Sequence, residues 1–478
     1  MLNNRRNLYS RHDMAESGNQ RCPHGRQRSF LVSLKYFRCA ITATGLSFLP
    51  GVFSYAFAAD GLLDIYHLAE QNDPQLKQAE AAYQASLESV PESRAQLLPI
   101  IDFSANTTRN SQNREYPDNP GFGGNEDFNS HGYTLSLTQP VYRHDRWVQL
   151  RQAQDTVKQA EAEWETAQQA LIVRAAERYF AVLAATDNLE FAQAEKDAIN
   201  RQLEQTKQRF DVGLIAITDV LEAQASYDSA VAREIEAVNL LSNTREELRE
   251  LTGGTHDVLL SLQAETPLVS PDPTDIEAWT KKSLENNLAL RAAEFAREAA
   301  RKEVDRQRAG HYPTLDLVAS KSNSVSDGGS LGTSDIDSTA ISLQLNVPIY
   351  QGGGVSSQTR AARYRSDQSM EALEEQRRAV IRQTRQAYLN VLSAISRVKA
   401  FKQAVLSSES ALEATEAGLE VGSRTTVDVL LARRTVFGAQ RDHAQARYEY
   451  ILNSLRLRQA VGTLSITDLE QISRWLQG

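Results

Sequence analysis

The sequence is short of cysteine: it has two, Cys22 and Cys39, and both fall within the first 58 residues. The remainder can hold no disulfide, no thiolate nucleophile and no cysteine-ligated metal. It also lacks positive charge. The chain carries a net charge of −9 over 478 residues, and its front segment is basic, so the rest is more acidic still. Such a surface opposes nonspecific nucleic-acid binding, and no nucleic-acid partner is expected. Beyond residue 58 no run approaches the roughly 18 apolar residues of a membrane-spanning helix. His67, His131, His144, His256, His311 and His443 are scattered without a His-Glu-x-x-His spacing. Asn119–Asp127 has acids and glycines but not the order of a calcium loop. Gly352-Gly353-Gly354 has no following Lys-Ser/Thr to make a phosphate loop. With no Ser/His/Asp set in the pattern either, no catalysis, metal or cofactor is expected.

The first 58 residues differ from the rest. Arg5, Arg6, Arg11, Arg21, Arg26, Arg28, Lys35 and Arg38 stand against only Asp13 and Glu16, and an apolar run from Cys39 to Phe57 ends in Ala56-Phe57-Ala58. This is a secretory signal peptide with an extended basic front, and translation from a later codon such as Met14 would shorten it. A transmembrane anchor is the competing reading. Gly45, Pro50 and Gly51 interrupt the run, which is short for a span.

Glycine and proline are missing from long stretches, and there the helices lie. Ala59–Leu98 is Ala-rich and helical in pattern, with Pro74 after an Asn72-Asp73 pair and a kink or interruption at Pro91. After Pro99 the period changes from 3.6 to 2. Ile101, Phe103 and Ala105 alternate with Asp102, Ser104 and Asn106, and Tyr133, Leu135 and Leu137 with Thr134, Ser136 and Thr138. This predicts a hairpin over about 100–140, with a polar loop over about 110–132. Val141–Val212 then runs 72 residues without Gly or Pro, and Leu150, Ala153, Val157, Ala160, Trp164, Ala167 and Leu171 recur three and four apart. That is a coiled-coil seam on a helix of roughly 100 Å. A turn at about 210–219 leads into a second helix that Gly253-Gly254 stop.

The plan then repeats. Residues 59–254 form one structural repeat, 255–273 a connector, 274–462 the second repeat and 463–478 a C-terminal segment. In the second, Leu315, Leu317 and Ala319 and then Ile341, Leu343, Leu345 and Val347 carry the period-2 pattern, a hairpin over about 314–348 with a loop over about 321–338. Val355–Ala417 is 63 residues without Gly or Pro, and the turn falls at about 418–428. Gly213/Gly422, Asp219/Asp428 and Leu248/Leu457 are each 209 apart. Gly213 and Gly422 suit the left-handed residue that closes a helix. Asp219 and Asp428 suit the first turn of the next, facing the positive end of its dipole.

Each half supplies two strands of about nine to eleven residues, the length that crosses an outer membrane when tilted. Four strands cannot close a barrel around a pore, and lipid forbids unpaired edges. Three chains would give twelve. The expected fold is therefore mainly α with membrane β: a trimeric twelve-stranded barrel, four strands per chain, continuing into a long α-helical coiled-coil tunnel in the periplasm.

The stretches Arg201–Thr206, Gln208–Val220, Gly310–Leu317, Leu345–Gly353 and Val421–Leu430 together resemble the TolC family of trimeric outer-membrane exit ducts, over Asp60 to about Leu469. The resemblance implies a non-enzymatic homotrimer in outer-membrane lipid. It also implies docking to a periplasmic adaptor and an inner-membrane pump of RND or ABC type, for drug efflux and type I protein secretion. By that likeness Thr218, Asp219 and Arg424 form the periplasmic gate, with Arg424 bound to the Thr218/Asp219 region largely across a subunit boundary. Asp428 forms a cation-attracting ring at the pore constriction, and the turns at Gly213 and Gly422 meet the adaptor. The family's tyrosine partner for the first-turn aspartate falls at Leu419, and its second constriction aspartate at Leu431. A secreted coiled-coil scaffold, or the periplasmic adaptor itself, is the alternative class. An adaptor would have one helical hairpin flanked by lipoyl-like and barrel β-segments.

Overall fold

The computed structural model describes residues 59–115, 118, 123–263, 265–329 and 332–477. The signal peptide expected over 1–58 lies outside them, as does most of the segment 116–122. In chain order come α1 (Leu62–Asn72), α2 (Pro74–Leu87), α3 (Ser89–Ala95), β1 (Ile100–Arg114), β2 (Gly124–Tyr142), α4 (His144–Asp211) and α5 (Ile217–Thr252). They are followed by β3 (Ser261–Leu262), α6 (Ile276–Asn286), α7 (Leu288–Arg308), a 3-10 turn, β4 (Thr314–Ser326), β5 (Ser334–Asn346), α8 (Gly354–Glu420), α9 (Thr426–Val461), α10 (Ile466–Ser473) and β6 (Leu476–Gln477).

The strands form one antiparallel sheet in the order β1-β2-β4-β5, so the two hairpins join through β2 and β4. Ile101, Leu137, Ala319 and Ile341 stand in one row across it. The strands run 15, 19, 13 and 13 residues, longer than the alternation indicates, and they take up much of both stretches expected as loops. Alternation marks only the part of a strand with one apolar face. Beyond it both faces are polar, yet backbone pairing continues, because the ladder needs no contrast between side chains.

α4 and α8, of 68 and 67 residues, are each about 100 Å long at 1.5 Å per residue. Neither is long and apolar enough to cross a membrane, nor is any other described helix. The 36-residue helices α5 and α9 double back along one half of α4 and α8. Along the other half, α7 packs on both α4 and α8, and α2 and α3 pack on α4. Trp164 of the predicted seam stacks on Tyr83 of α2, with ring centroids 5.4 Å apart.

Two breaks in the short helices, α1/α2 and α6/α7, are capped by Asx side chains, and a third, α2/α3, falls at Glu88. At the first, Asp73 accepts hydrogen bonds from the backbone N–H of Gln75 and Leu76, both at 3.2 Å, and so caps α2. Its partner Arg174 reaches in from α4. At the second, Asn287 caps α7 through Leu290 N–H at 3.0 Å and donates to the Ala460 carbonyl of α9 at 2.9 Å. Pro91 sits in the first turn of α3, where its missing N–H leaves no bond unmade.

The main core lies where α1, α4, α5, α9 and α10 converge. Leu62, Ile65, Leu171, Tyr179, Leu248, Ile451, Leu455 and Leu469 are fully buried there. The connector wraps this level. Tyr450 accepts from Val269 N–H at 2.7 Å and donates to its carbonyl at 3.0 Å, Arg447 donates to Thr266 Oγ1 at 3.1 Å, and Tyr388 donates to the Thr274 carbonyl. The two-residue sheet of β3 and β6 draws the C-terminal segment into the same belt.

Inside the belt Tyr448 donates to Asp187 Oδ2 at 2.7 Å. Burial raises the Asp187 carboxyl above its ordinary pKa, and the Tyr448 hydrogen bond only partly opposes this. The folded state thus holds that proton more tightly than the unfolded one. Stability from this group is full below the unfolded pKa and falls as pH rises through the folded value. Asp187→Asn should remove that slope, measured as the thermal midpoint of the detergent-solubilised protein between pH 4 and pH 7. A midpoint with the same pH dependence in both proteins would refute the assignment.

Candidate functional site

The residues singled out in the sequence sit at the two turns joining α4 to α5 and α8 to α9. Both turns close their first helix in the same way. Leu214 N–H bonds back to the Arg209 carbonyl at 2.9 Å and Gly213 N–H to Phe210 at 2.8 Å. In the second turn Ser423 N–H bonds to Gly418 at 2.8 Å and Gly422 N–H to Leu419 at 3.2 Å. This pairing needs a left-handed residue, and Gly213 and Gly422 supply it at φ 78° and 76°.

The turns differ in how the next helix starts. α9 opens with a capping box. Asp428 N–H donates to Thr425 Oγ1 at 3.2 Å, while the Thr425 N–H and hydroxyl both donate to Asp428 Oδ2 at 2.9 Å. These bonds, the backbone one first and then the hydroxyl, hold the Asp428 carboxyl below the usual aspartate range, with a smaller contribution from the Arg424 charge. α5 opens with Ala216, which has no side chain to cap with. Asp219 N–H makes only a backbone bond, to the Ala216 carbonyl at 3.2 Å, and its carboxylate takes no side-chain hydrogen bond among the described residues. Capping therefore falls to Asp428, whose second oxygen stays free, and Asp219 keeps both.

Arg424 lies in the turn before α9 with its stem folded onto Gly418. A Cβ at position 418 would sit 2.7 Å from Arg424 Cγ. Among the described residues Arg424 makes no ion pair with Asp219, and within one chain the structure does not bring Arg424 together with Thr218 and Asp219. Val429 and Leu430 are buried, and Leu430 packs with Ile199, Leu203, Ala223 and Ala230, which seats the start of α9 against the α4/α5 pair. Leu419 is half-buried, while Val212, Leu214, Leu221, Val421 and Leu431 stand exposed around the turns. Above them Lys196–Glu234 at 2.9 Å and Arg233–Glu195 at 2.8 Å clasp α4 to α5, and Arg433–Glu416 at 2.7 Å clasps α8 to α9.

One polar set escaped the sequence pattern. His256 Nδ1 lies 2.7 Å from Asp60 Oδ2 and its Nε2 lies 2.9 Å from Thr252 Oγ1. The order resembles a hydrolytic triad. However, Thr252 is 2 % exposed and donates to the Leu248 carbonyl at 3.0 Å, so it can meet no substrate. It fastens the end of α5 to the segment before α1. Only Thr252 and His256, four apart, were visible as a local signal; Asp60 comes from 196 residues away. Among the described residues no group of three or more His, Asp, Glu or Cys could hold a metal ion.

Removing the cap should loosen one turn alone. Thr425→Val is expected to cost about 1 kcal/mol at that helix end and to speed amide exchange over 425–428 about fivefold. Ala216→Ser should slow exchange over 216–219. Equal exchange at both turns before and after substitution would contradict the capping asymmetry.

Comparison with known proteins places these features in a family. The profile of the outer membrane efflux protein family matches residues 65–254 and 279–463, both repeats. The outer membrane protein TolC of Vibrio cholerae is 39% identical over 432 residues, 89% of this chain and 96% of that protein. The alkaline protease secretion protein AprF of Pseudomonas aeruginosa is 31% identical over 421 residues, covering 87% of each. Among solved structures, the outer membrane channel CmeC of Campylobacter jejuni superposes with a TM-score of 0.73 at 17% identity, covering 87% of this chain and 90% of that one.

Proposed function

Because the chain belongs to the outer membrane efflux protein family, we propose that three copies form one channel serving as the outer-membrane exit for drug efflux and type I protein secretion. It is an outer-membrane protein whose long helices stand in the periplasm. One observation carries the reading: the sheet β1-β2-β4-β5 is open, so β1 and β5 each present an unpaired row of N–H and C=O groups. Lipid offers these groups no partner. A second and third copy satisfy them by pairing β5 of one chain with β1 of the next, which closes twelve strands. The helices of about 100 Å below then line up as a tunnel wall.

The adaptor reading does not fit this chain. An adaptor has one helical hairpin, whereas the family match spans two in tandem. Protein secretion as a use of the duct draws on the likeness to AprF, a protease secretion protein. The partners that follow are a periplasmic adaptor docking at the turns around Gly213 and Gly422, and an inner-membrane pump of RND or ABC type. The channel carries out no chemistry on its cargo.

The gate is carried over from the family likeness, at the turns described above. Among the described residues the Asp219 carboxylate takes no side-chain hydrogen bond and Arg424 makes no ion pair, and on that likeness the two would meet across the subunit boundary with Thr218 beside them. On the same likeness three Asp428 carboxylates, held below the usual aspartate range by their caps, would ring the constriction and draw cations. Leu419 and Leu431 leave the gate with fewer polar ties than a tyrosine and a second aspartate would make.

Planar-bilayer recording tests this. Wild-type protein should show low basal conductance, and Arg424→Ala should raise it several-fold. Asp428→Ala should raise the divalent-cation concentration needed for half block about tenfold. If neither substitution changes these values, the gate assignment falls; if no variant forms pores, the channel does.

A further inference from the structure

We propose that the belt holds a binding site for a small, neutral, hydroxylated aromatic molecule, set between the connector, α9 and α10. The site is built from one chain alone, so it stands apart from the channel reading above.

A cavity of about 190 Å³ lies there, lined by residues 269–272 of the connector and by side chains of α6, α8, α9 and α10. On α9 the rows Tyr450–Ser454–Leu457 and Ile451–Leu455–Arg458 run side by side at spacings of four and three, so one helix face brings aromatic, apolar and charged groups to it together. Its deepest lining is Val391 of α8 with Ile451, Leu455 and Leu457, none more than 3 % exposed. Trp279 of α6, Tyr450 and Trp475 add aromatic walls, and the exposed Asp272 and Gln471 mark the mouth.

The polar groups of the interior are already engaged. The Tyr450 hydroxyl is bound to the Val269 backbone, Ser454 Oγ donates to the Tyr450 carbonyl at 2.9 Å, and Trp279 Nε1 donates to the Pro273 carbonyl at 2.7 Å. Arg458 and Asp468 form an ion pair. Water inside would find few partners, and such a cavity favours an apolar guest. Volume sets the size of that guest. A cavity of about 150 Å³ holds a benzene ring, so this one takes a ring with a hydroxyl or a second fused ring. Charge sets its type. Arg458 and Asp468 cancel, and Lys282, whose Nζ lies 5.6 Å from the Trp279 ring centroid, is offset by Asp272 at the mouth. With no net charge on the lining, burying a carboxylate or an ammonium group there costs more than it returns. A hydroxyl instead has Ser270 and Gln471 within the lining to bond with, while the indole faces favour a planar ring over a chain. A molecule seated there would bridge the connector and α9, beside the existing tie from Val269 to Tyr450.

Calorimetric titration of the protein in lipid nanodiscs with neutral 2-naphthol tests the proposal. Binding should saturate, raise the thermal midpoint and slow amide exchange over residues 269–272. Trp475→Leu should weaken it about fivefold by removing one aromatic wall. Ser454→Phe, which fills the cavity, should weaken it about tenfold or more, while Trp147→Phe, at the exposed start of α4, should leave it unchanged. Anionic 2-naphthoate should bind about tenfold more weakly than 2-naphthol. The proposal is overturned if wild type and Ser454→Phe take up 2-naphthol equally, as partition into the lipid would give, or if 2-naphthoate binds as well. Conductance of the same preparation separates the two readings. A conducting protein without saturable binding sinks this proposal alone, whereas a protein that binds but never conducts sinks the channel and upholds the site.

Discussion

Hydrocarbon has no hydrogen bonds to offer, and the architecture answers to that fact. Four strands in the order β1-β2-β4-β5 satisfy each other internally but leave two outer edges bare. In water such edges would be solvated; in a membrane each unpaired group is expensive enough to decide the assembly state. Threefold closure then has consequences far from the sheet. The junction between strand and helix must be rigid, and Arg143 at the end of β2 meets Asp316 of β4 in a two-point contact at 2.7 and 3.1 Å. That contact ties the start of α4 to the sheet.

The two repeats solve the same local problems with different chemistry. Both break their short helices at an Asx residue that caps the next one. The first break is secured by an ion pair, Asp73 with Arg174, and the second by a neutral amide, Asn287 to the Ala460 carbonyl. Both close their long helices with a left-handed glycine, but only the second opens the following helix with a capping box. Thr425 and Ala216 occupy equivalent places, and one hydroxyl separates a carboxylate with one oxygen bonded from one with neither. The two halves thus share one frame, and single positions within it separate a capping aspartate from one that caps nothing.

Much of this frame was legible in the sequence, because it follows from periodicity. The stretches without Gly or Pro became α4 and α8, and the alternating segments became the centres of four strands. The polar outer halves of those strands were not legible, since pairing there depends on backbone groups that every residue carries. Nor was the break at Asn287, where no proline marks it and the evidence is a capping bond visible only in three dimensions. The join of β2 to β4 lies in the register between distant segments. At the turns, sequence located the acids and the glycines but could not separate the roles of Asp219 and Asp428. That separation depends on whether a hydroxyl stands three residues earlier and bonds to the carboxylate.

The belt formed by the connector has a mechanical consequence. Tyr388 and Tyr450 tie α8 and α9 to it near the middle of the molecule, through Thr274 and Val269. Below Tyr388 the α8/α9 pair extends for about 32 residues, or about 48 Å, to its turn. Near its far end that length is seated on α4 and α5 through Leu430, and with this contact released a swing of about 10° about the girdle would carry the turn about 8 Å, from the same helical rise. On the proposed channel reading, a displacement of that size at the turns would widen an opening there and leave the sheet where it is.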